Sequence, residues 1–445
     1  MDKRGLPRGI CVRIGVIGGG TIGMVSAYYL SKNGHEVTVF EAKDSTGGLA
    51  SSFRLGNGRF IERFYHYYSP GDTRFLNLVG ELDLTCELEW RNVRQAMFIE
   101  KKLHSSTGLL DVLSLPGLSI FDKFRFLASM YFLLKKDEWE PLDRISCKDW
   151  ITSNAGRNVY ERLWKHLFET KFDRYADETP VSWLWSRSLR LAKSRKNVLG
   201  RETYGYFRDS SKVLFDRLET NIVSRNGKIL LNTRVENIIS GKGKTKIVAG
   251  GGREYEFDRV LATVPMPEIR RIAPDVFGQL SGKLRNREYD AVKMLVVELK
   301  ERFSEYFILN ICDTDVPFPA IIEFSNLKPK EEINNRNMIY IPNYMPLSSG
   351  LYSMNADELL SHYMPHLKKM KKGFDADQIA DHYVFNDDFV EPYPFLGYCD
   401  HIPEFAEPVN GVYLANMSQV HPWINILEHG ISYAERLAAW TCPAA

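Results

Sequence analysis

The sequence has no surplus of charge of either sign: 58 lysines and arginines face 56 aspartates and glutamates, for a net charge of +2 over 445 residues. Nucleic-acid-binding chains carry a basic excess, so nucleic acid is not an expected partner. Cysteine is sparse as well. Its six residues, at 11, 86, 147, 312, 399 and 442, form no C-x-x-C pair and no cluster with metal-ligand spacing, which points to reduced, packed thiols of a cytoplasmic protein rather than a disulfide framework. No apolar stretch runs uninterrupted for the ~18 residues that a membrane-spanning helix needs. The basic arm in MDKRGLPRGICVRIGVIGGG leads into an apolar run that stops at three glycines, too short for a signal-peptide core. Internal repeats and low-complexity linkers are missing too, and KKMKKG and KPKEEINNRN read as solvated surface charge. His362 and His366 form H-x-x-x-H without a glutamate between them or an evident third ligand, so no metal site is expected.

What is present is the composition of a soluble globular chain, 44% apolar and 12% aromatic, roughly two to three domain lengths long. The most apolar segment, LLDVLSLPGLSIFDKFRFLASMYFLL at 109–134, is broken by Asp111, Pro116, Asp122, Lys123 and Arg125. It reads either as a helix pair packed inside a substrate domain or as a surface segment in peripheral contact with a membrane.

The chemistry starts at VIGGGTIGMVSAYYL, residues 16–30. Arg13 to Ile17 suits a parallel strand buried on both faces. Gly18, Gly20 and Gly23 then give G-x-G-x-x-G, followed by a helical pattern that stops at Gly34. The glycines permit a tight turn, close approach of backbone to a pyrophosphate, and close helix–strand contact, while the helix N-terminus offers amide donors. A second strand, HEVTVFEAK, ends in Glu41, placed to accept from ribose hydroxyls. A second glycine pair, Gly47 and Gly48, follows in EAKDSTGGLASSF.

This arrangement resembles the flavin-containing family that includes monoamine oxidases, protoporphyrinogen oxidase, phytoene desaturases and UDP-galactopyranose mutase. Three later segments resemble the same family: LLNTRVENI at 230–238, FDRVLATVP at 257–265 after a hairpin turning at Gly250 to Gly252, and NGVYLANMSQVHPW with HGISYAERLAAW. The resemblance implies resident FAD. Its binding residues would be Gly18, Gly20, Thr21, Ile22 and Gly23; Glu41, Ala42 and Lys43; Gly47, Gly48, Leu49 and Ala50; Val235, through its backbone to adenine; and Asn416. The chain departs from the family pattern at Ala415 and Asn416, where most members carry Gly-Asp, and asparagine can still hydrogen-bond ribityl or phosphate oxygens. The loop from Pro422 to Gly430 lacks an arginine usual there.

The implied fold class is α/β: a Rossmann-like FAD-binding domain of the GR2 type, with an inserted mixed α+β substrate domain. The cofactor segments recur along the chain, so the FAD-binding domain is expected to be discontinuous, at 8–70, 205–272 and 385–445. Two insertions, 71–204 and 273–384, would form the substrate domain, with a strand at AVKMLVVEL and a helix at ADELLSHYMPHLKKM.

Flavin carries the hard step, so the protein has mainly to orient substrate and exclude water. His66, in RFYHYYS, is a candidate polar contact to flavin or substrate, with Tyr65 and Tyr67 as walls; the alternative is a structural histidine bonded to backbone. Lys293 interrupts an apolar strand, where it must pair, reach solvent or have its pKa lowered. The resemblance gives it the place of an amine-oxidase lysine that holds a water against the flavin, and the alternative is an outward-facing lysine. Trp183 and Trp185, and His421 and Trp423, read as cavity walls or core. Arg187, Arg190 and Arg195 read as a phosphate clamp or a solvated helix face. The expected function is FAD-dependent hydride transfer from a small molecule, whether an amine, an unsaturated or polycyclic compound, or, in the alternative, a nucleotide sugar handled by a non-redox mutase.

Overall fold

A computed structural model describes residues 11–195, 201–240, 243–280, 288–402, 411–423 and 426–441. Residues 8–10, at the start of the expected FAD-binding segment, and Cys442 lie outside them. The apolar run at Arg13–Ile17 is the central strand of a five-stranded parallel sheet. Its neighbours are Glu36–Phe40 and, beyond that, Lys228–Leu230 on one side, and Arg259–Ala262 then Val412–Leu414 on the other. Ile14, Val16, Val37 and Val39 are fully buried, because helices cover the sheet and a parallel strand has no solvent face. The helix Thr21–Lys32 and the C-terminal helix Leu427–Thr441 pack on it as neighbours. A β-carbon on Gly430 would sit 3.3 Å from the Thr21 side chain, so the absence of one lets the two helices close up.

An antiparallel hairpin pair, Val235–Ser240, Thr245–Ala249 and Arg253–Phe257, leads into the returning strand Arg259–Ala262, the path the sequence predicts. The second large sheet has seven strands, in the order Ile379–Pro392, Tyr289–Leu299, Asn337–Met345, Ala320–Glu323, Ile308–Ile311, Gln95–Ile99 and Lys102–Ser105. All its pairings are antiparallel except that between Ile308–Ile311 and Gln95–Ile99. Helices between 109 and 193 form the rest of the inserted region around a core that includes Leu133, Phe168 and Trp183.

Two expected boundaries move. The helix Thr73–Glu81 sits with the parallel sheet, since Phe75, Leu78 and Val79 share its apolar core with Val16 and Met24. Each such side chain contributes roughly 1.5–3 kcal/mol by burial against that core. The strand Ile379–Pro392 runs straight through the expected break at 384/385, paired along its length with Tyr289–Leu299.

Candidate active site

Gly18 ends the first strand with φ at +104°, and a side chain there would meet Thr263 at 2.9 Å. A β-carbon on Gly23 would lie 1.9 Å from the Gly18 carbonyl oxygen, so glycine is what allows the helix to leave the strand so tightly. Gly20 is the N-cap of that helix and provides no side-chain cap, which leaves first-turn amides without partners inside the helix. The space a Gly20 side chain would take is open for at least 4 Å. Glu41 closes the turn from the side: its carboxylate accepts from the Gly19 amide at 2.7 Å and from the Lys43 amide at 2.8 Å. The Gly47 amide donates to the Gly19 carbonyl at 2.8 Å, locking the second glycine loop onto the first.

These groups open into a cavity of about 450 Å³. An uncapped helix end, an empty glycine cradle and a carboxylate beside it form a set suited to a dinucleotide: amides for the diphosphate, acid for a ribose. The far wall of the same end comes from Asn416, Leu427 and Gly430. Asn416 is buried, its side-chain oxygen accepting from the Ser418 amide at 3.0 Å and its amide nitrogen pointing to the Met266 sulfur.

Of the residues expected to hold the cofactor, Gly18, Gly20, Thr21, Ile22, Glu41, Lys43, Gly47, Gly48, Leu49, Ala50 and Asn416 line this cavity. Gly23, Ala42 and Val235 are not among the described lining residues. Gly23 acts through helix–strand contact, and Ala42 is exposed. Val235 sits in an apolar core with Phe40, and its carbonyl accepts from Arg271 at 2.9 Å, so its backbone is already engaged.

Beyond the glycine end the cavity widens into an aromatic chamber with Tyr65, Tyr67, Trp183 and Tyr344 in its walls. His66 lines it as well. Its Nδ1–H donates to the Phe64 carbonyl at 2.7 Å, which leaves Nε2 as an acceptor. Burial lowers the His66 pKa to about 4, so the ring stays neutral near pH 7. His66 is thus bonded to backbone and also lines the cavity.

Lys293 is corrected. Val292 and Met294 line the cavity, and strand alternation turns Lys293 to the other side of the sheet. There its ammonium donates to the Tyr352 carbonyl at 2.6 Å, and burial lowers its pKa. The lysine that reaches the chamber is Lys171. Its Nζ lies 2.8 Å from a Glu391 oxygen and 3.9 Å from the Tyr344 ring centre. Burial works against its charge, but the Glu391 and Asp290 carboxylates outweigh it and raise its pKa. Asp290 accepts from the Glu391 amide at 2.9 Å, and burial pushes its own pKa well up. The sequence signal was a lysine between two core phenylalanines, Phe168 and Phe172, within a helix.

Arg187 and Arg190 both line the chamber. Arg190 donates to the Tyr67 carbonyl at 3.1 Å and pairs with Asp72 at 3.4 Å. Arg187 lies over the Trp183 ring and makes no ion pair among the described residues. Arg195 points elsewhere, pairing with Glu202. Trp185 packs against Trp423, Trp423 against His429, and His421 is held by Asp143, so of these aromatic candidates only Trp183 meets the chamber. Residues 424–425, in the loop without arginine, lie outside the described residues. Among the described residues no cluster of metal-ligating side chains occurs.

A parallel sheet with a glycine cradle and an acid one strand over, opening into a chamber of a second, inserted sheet, is the architecture of a dinucleotide-binding protein. The model of the flavin containing amine oxidoreductase family matches residues 23–429, and the chain belongs to that family. Coproporphyrinogen III oxidase of Staphylococcus aureus is 24% identical over 281 residues, covering 57% of this chain and 60% of that protein. The chain spans about 60% of the length of such curated relatives. Among solved structures, an oxidoreductase from Methanosarcina mazei superposes with a TM-score of 0.71 at 18% identity, over 96% of this chain and 99% of the other. A reduced UDP-galactopyranose mutase superposes with a TM-score of 0.73 at 14% identity, over 97% of this chain and 94% of the other. These likenesses are of fold. The family is flavin-containing, and the cradle fits FAD.

Proposed function

We propose that the chain is an FAD-dependent oxidoreductase that takes a hydride from a small molecule held in the aromatic chamber. Bound FAD would supply the acceptor for that hydride. The protein would bind it through the first-turn amides and Glu41, with Asn416 at the opposite wall. One observation carries the reading: the glycine cradle and the chamber are parts of a single cavity, so a dinucleotide anchored at one end can extend to a substrate at the other. His66, neutral and fixed by Phe64, would offer an acceptor to flavin or substrate. The chamber walls would exclude water.

The charge of the chamber favours one substrate class. Lys171 is neutralised by Glu391 and Arg190 by Asp72, but Arg187 faces the cavity without a carboxylate partner among the described residues. This supports an apolar or aromatic substrate bearing an oxyanion over a protonated amine, which Arg187 would repel. The same cation would suit the diphosphate of a nucleotide sugar, so the mutase remains the second reading. The domains would divide as the sequence indicates, with 73–88 joining the FAD-binding unit and the strand to Pro392 joining the substrate unit. Five described cysteines are free, which supports a cytoplasmic setting.

Anaerobic mixing with candidate substrates tests the reading. Bleaching of the flavin absorbance by substrate alone supports hydride transfer; turnover of a nucleotide sugar only after dithionite reduction would replace it with the mutase.

A further inference from the structure

Thirteen large apolar side chains are exposed among the described residues, and five of them lie on one helix, Ile120–Leu134. Ile120, Phe121, Phe124, Tyr131 and Phe132 are 58–66% exposed, each more than any of the other eight. Their spacing places them on one stripe, with exposed Ala128 at its centre. The opposite face is docked: Ser129 and Leu133 are buried, and Phe126 and Met130 pack on the core of the inserted helices. The helix is therefore held firmly by one side and uncovered, among the described residues, on the other. Such a patch on a folded surface marks an interaction site.

Charge selects the occupant. Lys123 and Arg125 flank the stripe on its two edges, their head groups donating to the Leu113 carbonyl and to the Ser153 and Asn154 carbonyls, and the exposed Lys135 and Lys136 follow it past the C-terminal end of the helix. Lys135 lies 5.7 Å from the Tyr131 ring, the posture of a cation riding at the rim of an apolar surface. The helix's one acid, Asp122, is turned back, accepting from the Ser119 amide at 3.1 Å and from Asn158 at 3.2 Å. A second copy of this chain would bring this basic rim against its own. We propose that the helix lies flat on an anionic lipid bilayer, with the five apolar side chains at the acyl boundary and the exposed Lys135 and Lys136 among the headgroups. This does not depend on the reaction proposed above.

Flotation of the full chain with vesicles of phosphatidylcholine and phosphatidylglycerol tests it. The protein is expected to float with the mixed vesicles, and less with phosphatidylcholine alone or in high salt. Replacing Phe121, Phe124 and Phe132 together by Ser is expected to lower partition by about a hundredfold, and Lys135→Glu with Lys136→Glu by about tenfold. Both sets are on the surface, so circular dichroism and melting temperature are expected to match the parent. The proposal is overturned if the parent stays soluble with both vesicles or if the triple variant floats as well as the parent. It is also overturned if the parent ignores vesicles but forms a dimer that the triple variant splits, since the helix would then be covered by a second copy.

Discussion

At the Glu41 end of the cavity the wall is mostly main chain, drawn from residues 18–50: a carboxylate holding the Gly19 and Lys43 amides, and a Gly47 amide holding the Gly19 carbonyl. At the Tyr65 end the wall is side chains, with Lys171, Trp183, Arg187, Tyr344 and Glu391 arriving from four separate elements. The two ends therefore fail differently. A backbone cradle tolerates almost any change that adds no atoms, whereas a chamber of side chains depends on each charge keeping its partner.

The sharpest way to break that contrast is to add atoms to the cradle. Gly23→Val puts carbon 1.9 Å from the Gly18 oxygen before any further atoms are counted. It is expected to cost more than ~4 kcal/mol and to yield protein without flavin; absorbance of the purified protein and a thermal melt measure both. Next, Lys171→Met strips the Glu391 and Asp290 carboxylates of their cation and is expected to cost about 3 kcal/mol in urea unfolding, with flavin still bound. Its control is Lys293→Met, whose side chain faces away from the chamber and whose turnover should stay at the parental level. Glu41→Ala frees two backbone amides and removes the ribose acceptor; a loss of about 2 kcal/mol in FAD affinity is expected, read as flavin fluorescence released on dilution.

Another effect is one of pH. His66 and His429 have ordinary pKa values of 6.5 in the unfolded chain and about 4 when buried in the native protein. Between those values the unfolded chain binds protons that the native one refuses, so stability falls as pH drops from 6.5 towards 4. His66→Gln should flatten that slope in urea midpoints collected across the window; an unchanged slope would mean the imidazole is not held neutral.

The same contrast explains what could be read from the amino acids alone. Strand, glycines, helix, strand and acid are local, and each residue type answers a backbone requirement, so the dinucleotide cradle was legible, while the choice of FAD came from the family resemblance. Lys293 was misjudged because an apolar strand with one lysine gives no sign of which face of a sheet is lined; buried on both sides, the strand hides its alternation. Lys171 and Glu391 went unnoticed because each is ordinary in its own segment, and their meaning arises from a pairing 220 residues apart. Arg187 was named with Arg190 and Arg195, yet only the packing around them separates the cation with no ion pair among the described residues from the two that have one.

The strand Ile379–Pro392 has a mechanical consequence. Its first half is the edge of the seven-stranded sheet, and its last residues, Asp387, Phe389, Val390 and Glu391, form cavity wall, with Asp387 tied to Lys43 beside the glycine cradle. One stiff rod thus braces both halves of the molecule. A clamshell opening would leave its ladder with Tyr289–Leu299 whole, since both strands move with the same sheet, and would have to part the Lys43–Asp387 pair that latches the rod to the cradle.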